Sequence, residues 1–493
     1  MSLLNDTVTQ RGKWVALTAA LLGWMFDGFE MGLFPQVARP ALLDLLATST
    51  GEVNDSEVGV WFSVATACFL VGAATGGVLF GWLGDRIGRV RAMMISVLTY
   101  ALFSGVCGLA TSPAQIAVLR FISALGMGGE WSLGVALVME IWPDRSRVFL
   151  AGLIGAAANV GYLLVGGLAL GVGQILAALP SRLTSMGLSE WRLLLLIGAA
   201  PAFLTFFIQL FVPESKRWQQ EQKRGTTSNW VTHDLLGVFI GALAALGMIY
   251  LWAVEIPWPY RLAGSAMALA VIILGYTYPA LRYLQRAAAE ASHPAHAWRP
   301  TVKRMLLGAC LSGVPLLGTW ASIQWAPIWA HQLTAGQNSD AKAYTQICMS
   351  LGAVLGTIMA AMVGDWLGRR LTYALLCAAS LGSMLLFFQG NDSFGAGFLV
   401  SVFLAGGITA SFYGWLPLYL PELFHTGVRA TGQGFSFNFG RILAAIGALQ
   451  TGNLMGLFKG GYPRACSTMS LIYLVGVAII WLAPETRGKP LPE

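Results

Sequence analysis

Apolar runs of about 20 residues recur along almost the whole chain, and that is the length a helix needs to cross roughly 30 Å of hydrocarbon. Inside a bilayer each backbone N–H and C=O must be paired within the protein, so a run of this kind is read as a spanning helix. Composition agrees: 56% of the 493 residues are hydrophobic and only 11% are charged, where an ordinary soluble domain carries roughly 25% charge. An all-α polytopic membrane protein is expected.

Hydropathy, with charge and Pro/Gly punctuation marking the ends, places six helices at about 14–36, 58–82, 93–110, 114–140, 149–172 and 191–212. A central pair follows at about 235–253 and 262–281, then six more at about 305–330, 342–363, 373–389, 395–421, 431–457 and 466–483. The expected organisation is a first six-helix bundle over 1–213, a linker with two additional helices over 214–304, and a second six-helix bundle with a short tail over 305–493. That makes 14 transmembrane helices, as six plus two plus six.

A net charge of +7 could suggest nucleic acid, but Lys and Arg occur in short clusters between the apolar runs. With both termini placed in the cytoplasm, 21 of the 30 basic residues fall in inward loops and 6 in outward ones. Such a bias orients a membrane protein. The expected partner is therefore the lipid bilayer, with no nucleic acid. The six cysteines stand singly in or beside apolar segments, without the spacing of a metal or disulfide framework. No metal and no organic cofactor is expected.

An internal repeat halves the chain. Gly84-Asp85-Arg86-Ile87-Gly88-Arg89 reappears as Gly364-Asp365-Trp366-Leu367-Gly368-Arg369. Glu140, followed seven residues on by Arg147, is matched by Glu422 and Arg429, and Pro213-Glu214-Ser215 is matched by Pro484-Glu485-Thr486. Three charged stations thus recur in the same order, as in transporters built from parallel repeats.

Five charges lie within the apolar spans: Asp27 and Glu30 in the first, Arg120 and Glu130 in the fourth, and Arg441 in the eleventh. Each costs roughly 2.5–3.5 kcal/mol at mid-membrane on insertion scales, so each is expected to face a cavity and to have a partner. At about 1.5 Å per residue, Glu30 and Arg120 fall at a similar depth, with Asp27 nearer the middle. Asp27 and Glu30, three apart, share a helix face. Glu130 lies roughly 15 Å deeper than Arg120, too far to join one ion pair with it.

These motifs resemble the major facilitator superfamily, whose Gly-x-x-x-Asp-Arg-x-Gly-Arg loop is carried here by Gly81 and Asp85 to Arg91, with its echo at Gly364 to Arg370. Within it, "DGFE", "GMGGEW", "MEIWP" and the added central pair resemble the bacterial sialic acid/proton symporters and their monocarboxylate-carrying relatives. Two features depart from that group: Glu30 stands where its members carry Asp, and Arg441, in "FGRI", is more like the carriers of aromatic acids.

The resemblance implies alternating access in a bacterial-type inner membrane, acting as a monomer. It implies that helices one and four face each other across a central cavity, with Asp27 and Glu30 turned to Arg120. Asp27, Glu30 and Glu130 are candidates for proton coupling. Arg120 and Arg441 are candidates for gripping a substrate carboxylate, since a guanidinium binds one bidentately and stays charged. Asn438, Gln324, Trp320, Tyr413, Tyr419, Asn159 and Tyr162 are candidate cavity residues, as are Trp325 and Trp415 beside them. Asp85, Arg89, Glu140 and Arg147 are expected to pair within the first half, and Asp365, Arg369, Glu422 and Arg429 within the second, latching the cytoplasmic side. Asp85 could also meet the positive end of a helix from the opposite bundle.

An acid whose arginine is taken by an incoming anion should gain a proton. The function expected is thus proton-coupled symport of a small carboxylate, sialic acid or a related organic anion, with the proton as coupling ion and no enzymatic activity. The alternatives are an aromatic-acid/proton symporter, or a passive sugar-type facilitator suggested by the "PETRG" tail. A drug antiporter would show a Gly-Pro pair in helix five, and none is present.

Overall fold

Lipid-crossing segments pair their backbone internally, and the computed structural model is accordingly helical throughout, with no strand among the described residues. It describes residues 10–50, 55–142, 144–178, 188–225, 227, 230–254, 256–290, 298–334, 340–458 and 461–492. The first half comprises α1 (Gln10–Thr50), α2 (Asp55–Ile87), α3 (Arg89–Cys107), α4 (Pro113–Ile141) and α5 (Asp144–Ala178). A broken sixth span follows, α6 (Glu190–Ile197) and α7 (Leu204–Phe211) joined by a 3₁₀ turn at Ala200–Phe203.

After the short α8 (Lys216–Lys223) come the central pair, α9 (Leu235–Ala253) and α10 (Trp258–Glu290). The second half comprises α11 (Trp298–Trp320), α12 (Ala326–Leu333), α13 (Ala341–Leu367), α14 (Arg369–Gln389), α15 (Ala396–Ala410), α16 (Phe412–Tyr419), α17 (Arg429–Leu457), α18 (Tyr462–Ser470) and α19 (Ile472–Ile479). Here α11–α12, α15–α16 and α18–α19 are each one broken span. Eleven helical stretches among the described residues are long and apolar enough to cross a membrane. The first, sixth and eleventh spans of the sequence reading correspond to α1, α6–α7 and α17.

Two boundaries differ from the hydropathy reading. The first helix does not stop near residue 36 but runs to Thr50 through Pro35 and Pro40. Buried Val37, Ala41 and Leu45 continue an apolar stripe at helical spacing that packs on Trp191 and Leu195, which a window average diluted by Arg39 and Asp44 conceals. The second central helix likewise extends to Glu290.

The bundles meet along α2 against α17 on one side and α5 against α13 on the other, while α1, α5, α11, α13, α15–α16 and α17 surround the centre. The central pair packs on itself and straddles the α2–α17 seam. Tyr276 and Thr75 share a hydroxyl hydrogen bond of 2.6 Å, and Tyr283 stacks on Trp230 with centroids 4.3 Å apart.

The loops after α2 and α13 turn at Gly88 (φ 111°) and Gly368 (φ 92°), a backbone region closed to side chains with a Cβ. The next helix start is then capped from far away in sequence. Glu214 accepts the Arg89 and Val90 amides at 3.0 and 3.1 Å, and Glu485 accepts those of Arg369 and Arg370 at 3.0 and 3.1 Å. The repeated Pro-Glu-Ser/Thr is thus a helix cap donated by the chain at the end of each half. Burial pushes the Glu214 carboxyl above the usual range despite its amide donors. Burial acts the same way on Glu485, but amide bonds from Arg369, Arg370, Arg487 and Thr486 outweigh it and hold that carboxyl low.

Candidate functional site

Side chains from both halves converge on a central cavity of about 70 Å³, lined on the first half by Trp24, Asp27, Met31, Asn159 and Tyr162. Its second-half wall is formed by Thr319, Trp320, Gln324, Gln346, Ser350, Tyr413, Phe437 and Arg441. The breaks in the helices make this wall. Between α11 and α12 the chain passes through a 3₁₀ turn, Ile323–Trp325, and Pro327 starts the new helix without a backbone N–H to offer. Irregular backbone at membrane depth is tolerated where it lines a cavity, and Trp320 and Gln324 are presented from this turn. Tyr413, just past the break between α15 and α16, donates to Thr319 Oγ1 at 3.1 Å. Gln324 Nε2 reaches the Tyr162 hydroxyl across the bundles at 3.5 Å.

The two arginines stand in opposite circumstances. Arg120 Nη1 donates to Glu30 Oε1 at 2.8 Å, with both side chains buried. Glu30 also accepts from Ser123 Oγ at 3.3 Å and from Ser104 Oγ. The guanidinium lies between the rings of Phe34 and Phe69, at 4.4 and 4.2 Å. It borders a second recess with Phe62, Trp320, Gln324 and Trp325. Arg441 is also buried and stands on the cavity wall, but its Nε and Nη1 have no hydrogen-bond partner. The nearest acid acting on it is Asp27, and its guanidinium lies 5.4 Å from the Phe437 ring.

Asp27 is 3% exposed and Glu130 is 0% exposed, and their carboxyl groups abut. Neither finds a hydrogen-bond donor for Asp27 Oδ1 or for either Glu130 oxygen. Asp27 reaches the cavity; Glu130 lies behind it, off the wall.

Four of the residues expected at the cavity stand elsewhere. Asn438 is fully buried between the bundles, donating to Gly128 O at 2.9 Å and Gly434 O at 3.0 Å. Tyr419 donates to Pro484 O at 2.7 Å near the tail, and Trp415 packs between Tyr373 and Tyr419. Trp415 and Tyr419 lie one or more turns past the helix break that turns Tyr413 inward. Trp325 lines the second recess and not the central cavity. Sequence reasoning missed Ser104 and Ser123, Gln346, and Trp24. The serines are small polar residues at the depth of Glu30, and Gln346 is an amide inside an apolar run; depth matching would have found all three.

The charged stations gather at the end of the molecule that carries the Asp85 and Asp365 loops. Arg89 donates to Asp85 at 2.6 Å and to Glu140 at 3.3 Å. Arg369 grips Glu422 through two nitrogens at 2.6 and 3.1 Å and meets Asp365 at 3.3 Å. Arg429 corrects the expectation of two separate networks: it pairs with Glu140 of the opposite half at 3.3 Å. It opens α17, whose first turn is pressed onto α2 and α4, so its guanidinium crosses the seam. Arg147 is buried and acts on the charge of Glu422, again across halves. Asp85 accepts from Thr431 N at 2.9 Å and Thr431 Oγ1 at 2.5 Å, at the positive end of α17. Gln433 Nε2 adds a bond to Ser132 O at 2.6 Å. At the far end the halves meet through rings instead, Phe62 with Trp325 at 6.1 Å and Phe69 with Trp320 at 6.2 Å.

Among the described residues no group of His, Cys, Asp or Glu has the arrangement of a metal site.

The family described as "Sugar (and other) transporter" matches residues 15–236 and 295–493, the two stretches flanking most of the central pair. The probable 4-methylmuconolactone transporter of Cupriavidus pinatubonensis is 29% identical over 95% of this chain and 90% of its own length. The cis,cis-muconate transport protein of Acinetobacter baylyi is 26% identical over 79% and 78%. The sialic acid transporter NanX of Escherichia coli is 30% identical, over 42% of this chain and 45% of its own. Among solved structures, the proton:xylose symporter XylE superposes with a TM-score of 0.70 over 97% of both chains at 18% identity, a likeness of fold. With both halves of the chain matched and the fold in agreement, this protein belongs to the sugar (and other) transporter family, as a membrane transporter of the major facilitator fold.

Proposed function

We propose that this protein is a proton-coupled symporter of a small, flat carboxylate with an aromatic or unsaturated skeleton. The observation that carries the reading is Arg441: a buried guanidinium on the wall of a ring-lined cavity, with two N–H directions unpartnered and one acid, Asp27, acting on it. An unpaired buried charge is costly, and a carboxylate supplies the bidentate partner it lacks. Trp24, Tyr162, Trp320, Tyr413 and Phe437 offer faces to a flat ring, and Gln324, Asn159 and Gln346 offer amides to its substituents. When the anion takes Arg441, Asp27 loses its counter-charge and takes a proton from cavity water. The loaded carrier is thus electrically like the empty one.

The relatives named for 4-methylmuconolactone and cis,cis-muconate support small organic acids. Bacterial relatives support an inner-membrane location, and the positive-inside bias supports cytoplasmic termini. Sialic acid is the second reading, favoured by the partial likeness to NanX. Against it stands a wall that carries Trp24, Met31, Tyr162, Trp320, Tyr413 and Phe437, apolar faces that suit a flat skeleton better than a polyol. The stations around Glu140 and Arg429 serve as the cytoplasmic gate in this scheme.

Proteoliposomes carrying an imposed inward proton gradient should concentrate benzoate, nicotinate or cis,cis-muconate, and a protonophore should abolish the accumulation. A thermal-shift screen of these acids, sialic acid and neutral sugars identifies the class. Stabilisation by neutral sugars alone, or uptake indifferent to the protonophore, overturns the reading. Asp27→Asn should abolish gradient-driven accumulation while leaving counterflow exchange.

A further inference from the structure

Among the described residues, the membrane interior holds three acids, Asp27, Glu30 and Glu130, and two arginines, Arg120 and Arg441. Glu30 and Arg120 neutralise each other at 2.8 Å, with two serines completing the carboxylate's bonds. That leaves Asp27 and Glu130 against Arg441. The two carboxyls touch, both are buried, and three of their four oxygens have no donor. Glu130 has no arginine of its own; the charged and titratable groups facing the pair are Arg441 and Glu30, and the Tyr100 hydroxyl, which has no partner either.

The close approach is built into the backbone. A Cβ placed on Gly23 of α1 would lie 1.5 Å from Glu130 Oε1, so any larger residue there would displace the Glu130 carboxyl from this position. The Gly23 position, one turn before Asp27, lets α4 push a carboxyl into the face of α1 where the second acid waits. A packing role would need no acid at this spot, and an acid with no donor is the residue least suited to one.

We infer that Asp27 and Glu130 form a carboxyl pair that retains one proton in the empty carrier and takes up a second when a carboxylate occupies Arg441. Two anionic carboxylates cannot remain in contact away from water, so a proton bridges them, donated by one oxygen and accepted by the other. With it, the pair and Arg441 together are neutral. A monoanion on Arg441 withdraws the counter-charge, and a proton from cavity water reaches Asp27, the member on the wall, leaving both carboxyls neutral. Release reverses both steps, so one proton moves with each monoanion while the bridging proton stays resident. The second step rests on the proposed transport of carboxylates; the resident proton does not.

Infrared difference spectroscopy reads the neutral carboxyl directly. Purified wild-type protein without substrate should show at pH 7.5 a carbonyl band of a neutral buried carboxyl, absent from Glu130→Gln and from Asp27→Asn. Glu130→Gln is isosteric, and Glu130→Asp, which draws the acid back from Asp27, should weaken or shift the band if the first variant fails to fold. Gly23→Ala should perturb it through the contact at Glu130. Adding benzoate should raise the wild-type band about twofold, with proton uptake from an unbuffered solution; this uptake should persist in Glu130→Gln and vanish in Asp27→Asn. An empty wild-type protein lacking the band, or a band untouched by either substitution, overturns the pair. A band that is present but insensitive to every carboxylate leaves the pair standing and overturns the proposed transport instead.

Discussion

Two buried arginines with one chemistry differ because their neighbours do. Arg120 has a carboxylate at 2.8 Å and an aromatic ring on each face; Arg441 has a cavity. Removing one partner of a buried pair leaves the other charge stranded, at a cost of about 3 kcal/mol or more. Glu30→Gln should therefore lower the melting temperature of the purified protein sharply, and the fall should be rescued in part by the double substitution Glu30→Gln, Arg120→Met. Arg441→Gln should behave in the opposite way. It removes a charge with no bonded partner, so melting temperature should hold or rise while binding of carboxylates is lost in the same thermal-shift assay. Equal destabilisation by Arg441→Gln and Glu30→Gln would remove the distinction between a locked pair and a waiting one.

At the scale of elements, each half ends by capping its own third helix. Glu214 and Glu485 occupy equivalent positions with opposite electrostatic balance. A carboxyl held low in the fold contributes stability that is present above its unfolded value, about 4.3 for glutamate, and that is lost as pH falls through the folded value. Glu485 is of this kind, and Glu485→Gln should lower stability near pH 7 by about 1 kcal/mol, as loss of a helix cap does. The difference from wild type should shrink as pH falls toward 4 in a series of melting curves. Glu214 is raised by burial, so its ionised form is a cost to the fold at neutral pH and the sign reverses. Glu214→Gln should show its smallest deficit at pH 7 and a growing one as pH falls and the wild-type carboxyl is protonated. The broken spans belong to this scale too: the turn between α11 and α12 sets which face of the seventh span sees the cavity.

For the whole molecule, the charged end is closed by polar contacts between halves and the far end by rings. Thr431 with Asp85, Arg429 with Glu140 and Gln433 with Ser132 all cross the α2–α17 seam or its α4 flank. Opening that end must part them, so weakening them should bias the carrier toward the state open at that end. A cysteine placed at Ser132 in a background freed of native cysteines should react slowly with a bulky maleimide, and several-fold faster once Glu140→Gln is added. Unchanged labelling would relieve Glu140 of any gating role. The central pair lies over the same seam, bonded to α2 through Tyr276 and Thr75.

The number and order of spans, the halving of the chain and the residues of the charged stations were all legible in the sequence. Lipid imposes a length on every crossing segment, and a duplicated motif repeats its letters. Depth along the helices was legible as well, since a fixed rise per residue places Glu30 level with Arg120 and Glu130 far below it. What a linear pattern does not contain is rotation about each helix axis and the register between helices from different halves. Those decided that Asn438 turns to the seam while Arg441, three residues on, turns to the cavity, and that Arg429 pairs across the halves. They also decided that Glu130, separated by over a hundred residues from Asp27, lies against it, its Oε1 in the space that a Cβ on Gly23 would take.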